Sequence, residues 1–255
     1  MKSQNLDALS RIVDLDKIEA TKNSINEANG LPNECYLSDE YFKIEREKVF
    51  FNNWIVVGVS SSVPEVGDAK PFNLMGIPLL ILRDKNNKIR VFHNVCSHRG
   101  MILVKEECKL KNTIRCPYHS WSYNFNGELI ATPHVGGMNI HETEGFIKSK
   151  SNLKEISTHV WMDLIFINVN KNKKNFEESI DPLEKQWSKF ISKEDQKLIR
   201  HARDFGYFNM EVKSNWKLAI ENYCESYHLP WVHPELNRVS NLKDHYHIED
   251  LAETF

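Results

Sequence analysis

Two short stretches of this 255-residue chain each offer one cysteine and one histidine. The first reads Cys96-Ser97-His98-Arg99-Gly100, and the second Cys116-Pro117-Tyr118-His119-Ser120-Trp121. A zinc finger normally supplies a pair of cysteines and then a pair of histidines to a single ion. Here each loop brings one thiolate and one imidazole. That supply suits a two-iron, two-sulfide cluster in which one iron takes both cysteines and the other takes both histidines. A structural zinc site, or four unrelated residues, is the alternative. The other cysteines, Cys35, Cys108 and Cys224, bring the total to five, an odd number that does not indicate a disulfide framework.

A second constellation lies between Glu221 and Pro234. Glu221, Glu225 and His228 stand at i, i+4 and i+7, so a helix over Trp216–His228 stacks them on one face. A straight helix would turn His233 well away from His228. Pro230 makes an unbroken helix unfavourable and predicts a bend that lets both imidazoles point at one centre. Two histidines and a carboxylate form the facial triad of non-haem iron(II) oxygenases. The same residues also read as a helix end whose histidines face its dipole or pack in a core.

The elements that must position these groups follow from patterning. Met1–Gly30 is polar, with weak helical periodicity in Leu9, Ile12, Val13 and Leu15. Ser38 followed by Tyr41 is half a capping box and opens a helix through Phe42, Ile44, Glu45 and Val49. Short strands follow at Ile55–Val59, Pro78–Leu82 and Arg90–Val95, the last leading into the first ligand-type loop. Ile114-Arg115 leads into the second, Ser122–Gly127 closes on an Asn-Gly turn, and Val160–Val169 reads as one long strand. Many short strands joined by turns predict a small antiparallel barrel or sandwich. The polar run Asn170–Asn175 reads as a linker. A helix is expected next with Asp181 as N-cap and Pro182 as its first residue, then a strand-like Tyr207–Val212.

Composition bounds the partners. Lysines and arginines number 33 against 35 acids, so the net charge of −2 gives no reason to expect nucleic acid or an anionic membrane surface. No apolar run approaches the roughly 18 residues of a membrane span, and the polar N-terminus is unlike a signal peptide. A cytoplasmic enzyme fits these facts.

The motifs CSHRG and CPYHSW resemble those of the Rieske non-haem iron ring-hydroxylating oxygenases, and the chain is similar to the N-terminal part of their alpha subunits. The resemblance implies an α+β fold. An N-terminal helical arm (1–50) would precede a small antiparallel β Rieske domain (51–170) and the start of a helix-grip-like catalytic domain (171–255). It implies Cys96, His98, Cys116 and His119 as ligands of a [2Fe–2S] cluster. The family pattern Asn-x-x-Asp-x-x-His-x4-His falls on Asn222, Glu225, His228 and His233. That match implies His228 and His233 as ligands of a mononuclear Fe(II), and Glu225 as the carboxylate linking this site to a neighbour's cluster. Glutamate in place of aspartate is similar to members that oxidise quaternary ammonium compounds such as carnitine and betaines. The resemblance further implies electrons drawn from NAD(P)H through a reductase or ferredoxin, a small organic substrate with O2, and a head-to-tail homotrimer. The family's third iron ligand, an aspartate, lies well downstream. None of Glu235, Asp244, Glu249 and Asp250 matches it, so the chain is expected to be an incomplete alpha subunit. An electron carrier without its own catalytic iron is the alternative function. Arg99, Gly100 and Pro117 are expected to shape the ligand loops, and Tyr118 and Trp121 either shield the cluster or serve as core aromatics.

Overall fold

A computed structural model of the chain describes residues 9–24, 26–170, 175–202 and 210–246. One compact unit spans Val49–Tyr207, and Met1–Lys48 with Phe208–Phe255 form another. The first unit holds strands β1 (Ile55–Val59), β2 (Asp68–Leu74), β3 (Ile77–Arg83), β4 (Ile89–His93), β5 (Cys108–Lys109), β6 (Ile114–Arg115), β7 (Ser122–Tyr123), β8 (Leu129–Ala131), β9 (Glu155–Trp161) and β10 (Leu164–Asn168). Seven of them pair as β1-β10-β9-β4-β3-β2-β5, and β6-β7-β8 form a second sheet. The described ladders are antiparallel.

The apolar run in β3 is continuous because both faces of that strand are covered. Side chains alternate along a strand. Leu79 and Ile81 therefore join Val63, Val91, Ile156, Ile165 and Ile167 in one core. Leu80 and Leu82 enter another core with Phe92, Ile114, Tyr123 and Leu129. Cys96 and Cys116 belong to this second core, so the small sheet and its loops are seated on the large sheet through the residues that hold the cysteines. Each fully buried leucine there contributes roughly 1.5–3 kcal/mol of transfer free energy.

The β3–β4 turn is organised by Asp84, which is wholly buried. Its carboxylate accepts from the backbone N–H groups of Asn86 and Lys88, both at 2.9 Å, and from Arg90 Nε at 2.7 Å. Burial pushes this carboxyl up, but the Arg90 bond and the two backbone donors outweigh it and hold the group below the usual carboxylate range. A depressed folded value means stability that is present above the unfolded pKa of about 3.9 and is lost as pH falls through the folded one. Asp84→Asn should therefore cost about 3 kcal/mol at neutral pH, as for a buried pair deprived of one partner. The deficit should shrink as acid removes the same contribution from the wild type, and urea unfolding at a series of pH values measures both.

Four expectations need correction. Val160–Val169 is not one strand: Met162 and Asp163 adopt left-handed φ of +50° and +67° and turn β9 back into β10. Asp163 tolerates that angle because its carboxylate accepts from Ser61 N–H at 3.1 Å, Ser61 Oγ at 2.7 Å and His201 N–H at 2.9 Å. The helix expected from Asp181 instead spans Phe176–Trp187, with Asn175 as N-cap accepting from Glu178 N–H at 2.8 Å, and Pro182 lies inside it. Residues Lys171–Lys174 of the expected linker lie outside the described residues, as do Tyr207–Asn209 of the expected strand, and Met210–Val212 form no strand. The fourth correction concerns the end of the helix before His228. That helix spans Trp216–Cys224 only, and Glu225 is extended (φ −112°, ψ 154°).

In the other unit, Asp14 caps the helix Leu15–Ala20, and Glu34–Leu37 and Asp39–Glu45 are short helices. Ser38 Oγ accepts from Tyr41 N–H at 3.2 Å, so the half capping box works as an N-cap. No helix among the described residues is long and apolar enough to cross a membrane.

Candidate metal centres

The two Cys/His loops are closed by the same pair of hydrogen bonds. Cys96 N–H donates to Met101 O at 2.8 Å, and Gly100 N–H donates to Cys96 O at 2.9 Å. In the second loop Cys116 N–H donates to Trp121 O at 2.8 Å, and Ser120 N–H to Cys116 O at 3.0 Å. Gly100 and Ser120 occupy equivalent places, both left-handed, with φ of +71° and +59°. Glycine adopts that angle without strain. Ser120 is held in it while its Oγ accepts from Arg115 Nη2 at 2.9 Å. β6 and β7 flank the second loop, and a single bridge between Val95 and Ile102 flanks the first.

Within these loops the donors sort into pairs. Cys96 and Cys116 are each 2 % exposed and lie in the same core cluster, near enough for each thiol to feel the other. The His98 and His119 rings lie 4.7 Å apart between centroids, His98 exposed and His119 half-buried. Among the described residues no three His, Cys, Asp or Glu side chains converge to hold one ion. The quartet is instead sulfur beside sulfur and ring beside ring, with the sulfur end inward.

Aromatic residues fix both ends. Trp121 is buried and stacks on His98 at 4.6 Å, with an interplanar angle of 10°. Tyr118, by contrast, is 60 % exposed and lies against His119. Tyr123, which sequence reasoning took only as a strand residue, is fully buried. Its hydroxyl lies 3.2 Å from Cys96 Sγ and accepts from Ser97 N–H at 3.1 Å. Its only sequence signal is an inward position just after Trp121. Burial pushes the Cys96 thiol up, with the Tyr123 hydroxyl and the His98 N–H opposing and the Cys116 thiol adding to the rise. Burial, followed by the neighbouring His119 and Arg99, holds the His98 imidazole below its ordinary value and favours a neutral ring with a free lone pair.

The second constellation is bent earlier than Pro230 predicts. The chain leaves the helix at Glu225, and His228 begins a short helix, Leu229–Val232, in which Pro230 sits in the first turn. The Glu225 carboxylate accepts from His228 N–H at 3.3 Å, while its other oxygen meets His228 Nδ1. That contact leaves His228 Nε2 as the nitrogen open to a ligand. The His228 and His233 rings come to 5.4 Å between centroids, and both line a cavity of about 370 Å³ with Asn222 and Glu225. Cys224 and His245, which sequence reasoning did not place here, line it too. Glu221 is not on this face: its carboxylate accepts from the Tyr36 hydroxyl at 2.7 Å. Glu235 is paired with Arg238 at 2.7 Å, Asp244 is exposed and lines no part of the cavity, and Glu249 and Asp250 lie outside the described residues.

The donor sets suit the groups considered from the sequence. Two buried sulfurs and two neighbouring imidazoles fit a cluster with unlike ends. Two imidazole nitrogens beside a cavity, one ring oriented by a carboxylate, fit the histidine part of a facial triad.

Comparison with known proteins agrees with this geometry. Residues 53–144 match the Rieske [2Fe-2S] domain, and residues 198–255 match the ring hydroxylating alpha subunit catalytic domain. The chain is 30 % identical over 222 residues to the carnitine monooxygenase oxygenase subunit of Escherichia coli (strain K12), covering 87 % of this chain and 56 % of that protein. It is 28 % identical over 207 residues to the glycine betaine monooxygenase oxygenase subunit of Pseudomonas aeruginosa (strain UCBPP-PA14), covering 81 % of this chain and 45 % of that one. Among solved structures, the quaternary ammonium Rieske monooxygenase CntA in complex with L-carnitine superposes with a TM-score of 0.68 at 28 % identity, over 79 % of this chain and 54 % of that chain. Naphthalene 1,2-dioxygenase from Rhodococcus sp. shares the fold, with a TM-score of 0.71 at 22 % identity over 90 % of this chain and 52 % of its own. The chain thus spans about half the length of the curated relatives it matches. The catalytic-domain match speaks against an electron carrier alone, and the Rieske match against a zinc module.

Proposed function

As a member of the Rieske ring-hydroxylating oxygenase alpha subunits, this protein is, we propose, the oxygenase part of a monooxygenase acting on a quaternary ammonium compound. Cys96 and Cys116 hold one iron of a [2Fe–2S] cluster, and His98 and His119 hold the other. His228 and His233 hold a mononuclear Fe(II), and Glu225 orients His228. The placing of the two cysteines together in one buried cluster, with the two histidine rings side by side, is the single observation that carries the reading. The substrate class is supported by the carnitine and glycine betaine relatives and by glutamate at position 225.

When bound, these groups supply one-electron transfer and oxygen activation, with electrons drawn from NAD(P)H through a reductase or ferredoxin. The chain's own residues do the rest. Tyr123 and the Ser97 amide fix the Cys96 side of the cluster loop, and Trp121 fixes the His98 ring by stacking. The exposed His98 edge is where an electron partner can approach most closely. Glu225 holds the His228 ring through Nδ1, selecting the nitrogen left for the metal. The protein works in the cytoplasm as a homotrimer, in which the Cys96/His98 and Cys116/His119 loops of one subunit would face the His228/His233 site of the next.

Iron analysis and visible spectroscopy test the assignment on protein of the relatives' length. We expect about three irons per chain and the absorption of a Rieske centre, whereas a carrier would give about two. With a reductase, NADH consumption should be coupled to oxidation of carnitine or glycine betaine rather than of an aromatic hydrocarbon. The 255-residue chain alone should take up the cluster but bind mononuclear iron weakly, because His228 and His233 have no third ligand beside them among the described residues.

A further inference from the structure

The helix Trp216–Cys224 buries little apolar surface. Lys217 is its only buried residue, while Leu218, Ile220 and Tyr223 are exposed. A nine-residue helix is marginal by itself, so outside contacts must place it. Among the described residues, a set of polar contacts runs from it to one short segment of the N-terminal region. Lys217 Nζ donates to Glu45 Oε1 at 2.6 Å, and Trp216 Nε1 donates to Glu45 Oε2 at 3.1 Å. The ammonium also lies 5.2–5.5 Å from the ring centres of Tyr36, Tyr41 and Trp216. Asn215, the N-cap, accepts from Lys217 N–H at 3.1 Å and donates through Nδ2 to Tyr36 O at 3.0 Å. One turn further along, the Tyr36 hydroxyl reaches Glu221.

A buried ammonium is tolerated only when compensated, and here one carboxylate and three ring faces surround it. The arrangement is directional, because each oxygen of Glu45 takes a different donor from the helix. It fixes rotation about the helix axis as well as position, and the next residue beyond the helix is Glu225. We infer that Glu34–Glu45, acting through Lys217 and Glu221, is a positioning element for the His228/His233 iron site. The inference rests on the proposed role of those histidines.

The test uses protein of the relatives' length, loaded with cluster and depleted of mononuclear iron. Fe(II) affinity is measured by titration, and site geometry by the EPR spectrum of the nitric oxide adduct, well below the unfolding temperature. The Rieske absorption serves as an internal control. Lys217→Met and Glu45→Gln should each weaken Fe(II) binding at least tenfold and broaden the nitrosyl signal, with the Rieske spectrum unchanged. Tyr36→Phe, which removes one hydroxyl, should weaken binding several-fold. If the single variants do not fold, Tyr36→Phe and the doubly neutral Glu45→Gln/Lys217→Met variant decide. Folded variants with wild-type affinity and an unaltered nitrosyl spectrum overturn the positioning role, even if they melt earlier. If the wild-type protein binds Fe(II) no better than its His228→Ala form, the assignment of the iron ligands fails instead.

Discussion

Cys116→Ser should abolish the visible absorption and the reduced-state EPR signal of the cluster, leaving essentially no bound two-iron centre. Cys116 is buried beside Cys96 in a core shared by both sheets, so no exposed thiol can take its place without moving the chain. The loop should still form, since its closing bonds are made by the backbone of Cys116, Ser120 and Trp121 rather than by the sulfur. Cys108 lies exposed on β5 and Cys35 is buried in the other compact unit. Serine at either position should leave the spectrum unchanged. A Rieske spectrum that survives Cys116→Ser, or one lost in Cys108→Ser, would refute the ligand set.

Glu225→Gln should separate metal binding from electron delivery. In protein of the relatives' length, both metals should be retained, because the amide keeps the size of the side chain and one acceptor. Reoxidation of the reduced cluster, followed in a single turnover with substrate and oxygen, should slow by about 10–100-fold, the usual scale for losing a partner of a metal-bound histidine. The amide can donate to Nδ1 or accept from it, so the His228 tautomer is no longer imposed by charge. Glu225→Asp should be milder, since the carboxylate survives on a shorter arm. A normal reoxidation rate in Glu225→Gln would mean that the contact to His228 Nδ1 has no part in the transfer.

The two Cys/His loops were legible in the sequence because their pattern is local: four candidate donors, each within three positions of its loop partner, need no tertiary knowledge to be noticed. β3 was legible for a related reason, since a strand covered on both faces must be apolar throughout. The failures have specific physical causes. Helical periodicity placed Glu221, Glu225 and His228 on one face, but the Glu225 carboxylate takes the His228 N–H, a side-chain bond that competes with continuing the helix. Asn175 with Glu177 and Glu178 in the first turn outweighed the Asp181-Pro182 signal further along. Met162-Asp163 lacks the glycine of a recognisable hairpin turn, and what makes it possible is donors from Ser61 and His201, far away in sequence. The anchoring of Lys217 by Glu45 spans 172 positions and leaves no local pattern.

β3 also has a bearing on how the first compact unit comes apart. Leu79 and Ile81 point into one apolar cluster while Leu80 and Leu82 point into the other, so a single stretch of backbone is the common wall of two interiors. Neither interior can loosen without exposing half of that wall, and the two must therefore melt as one cooperative block rather than in sequence. Amide protons of Leu79–Leu82 should then be released only by global opening of the block. The cysteine pocket inherits this protection, because Cys96 and Cys116 lie in one of the joined interiors. Its thiols are shielded from oxidants not by a lid of their own but by the unfolding barrier of the whole unit.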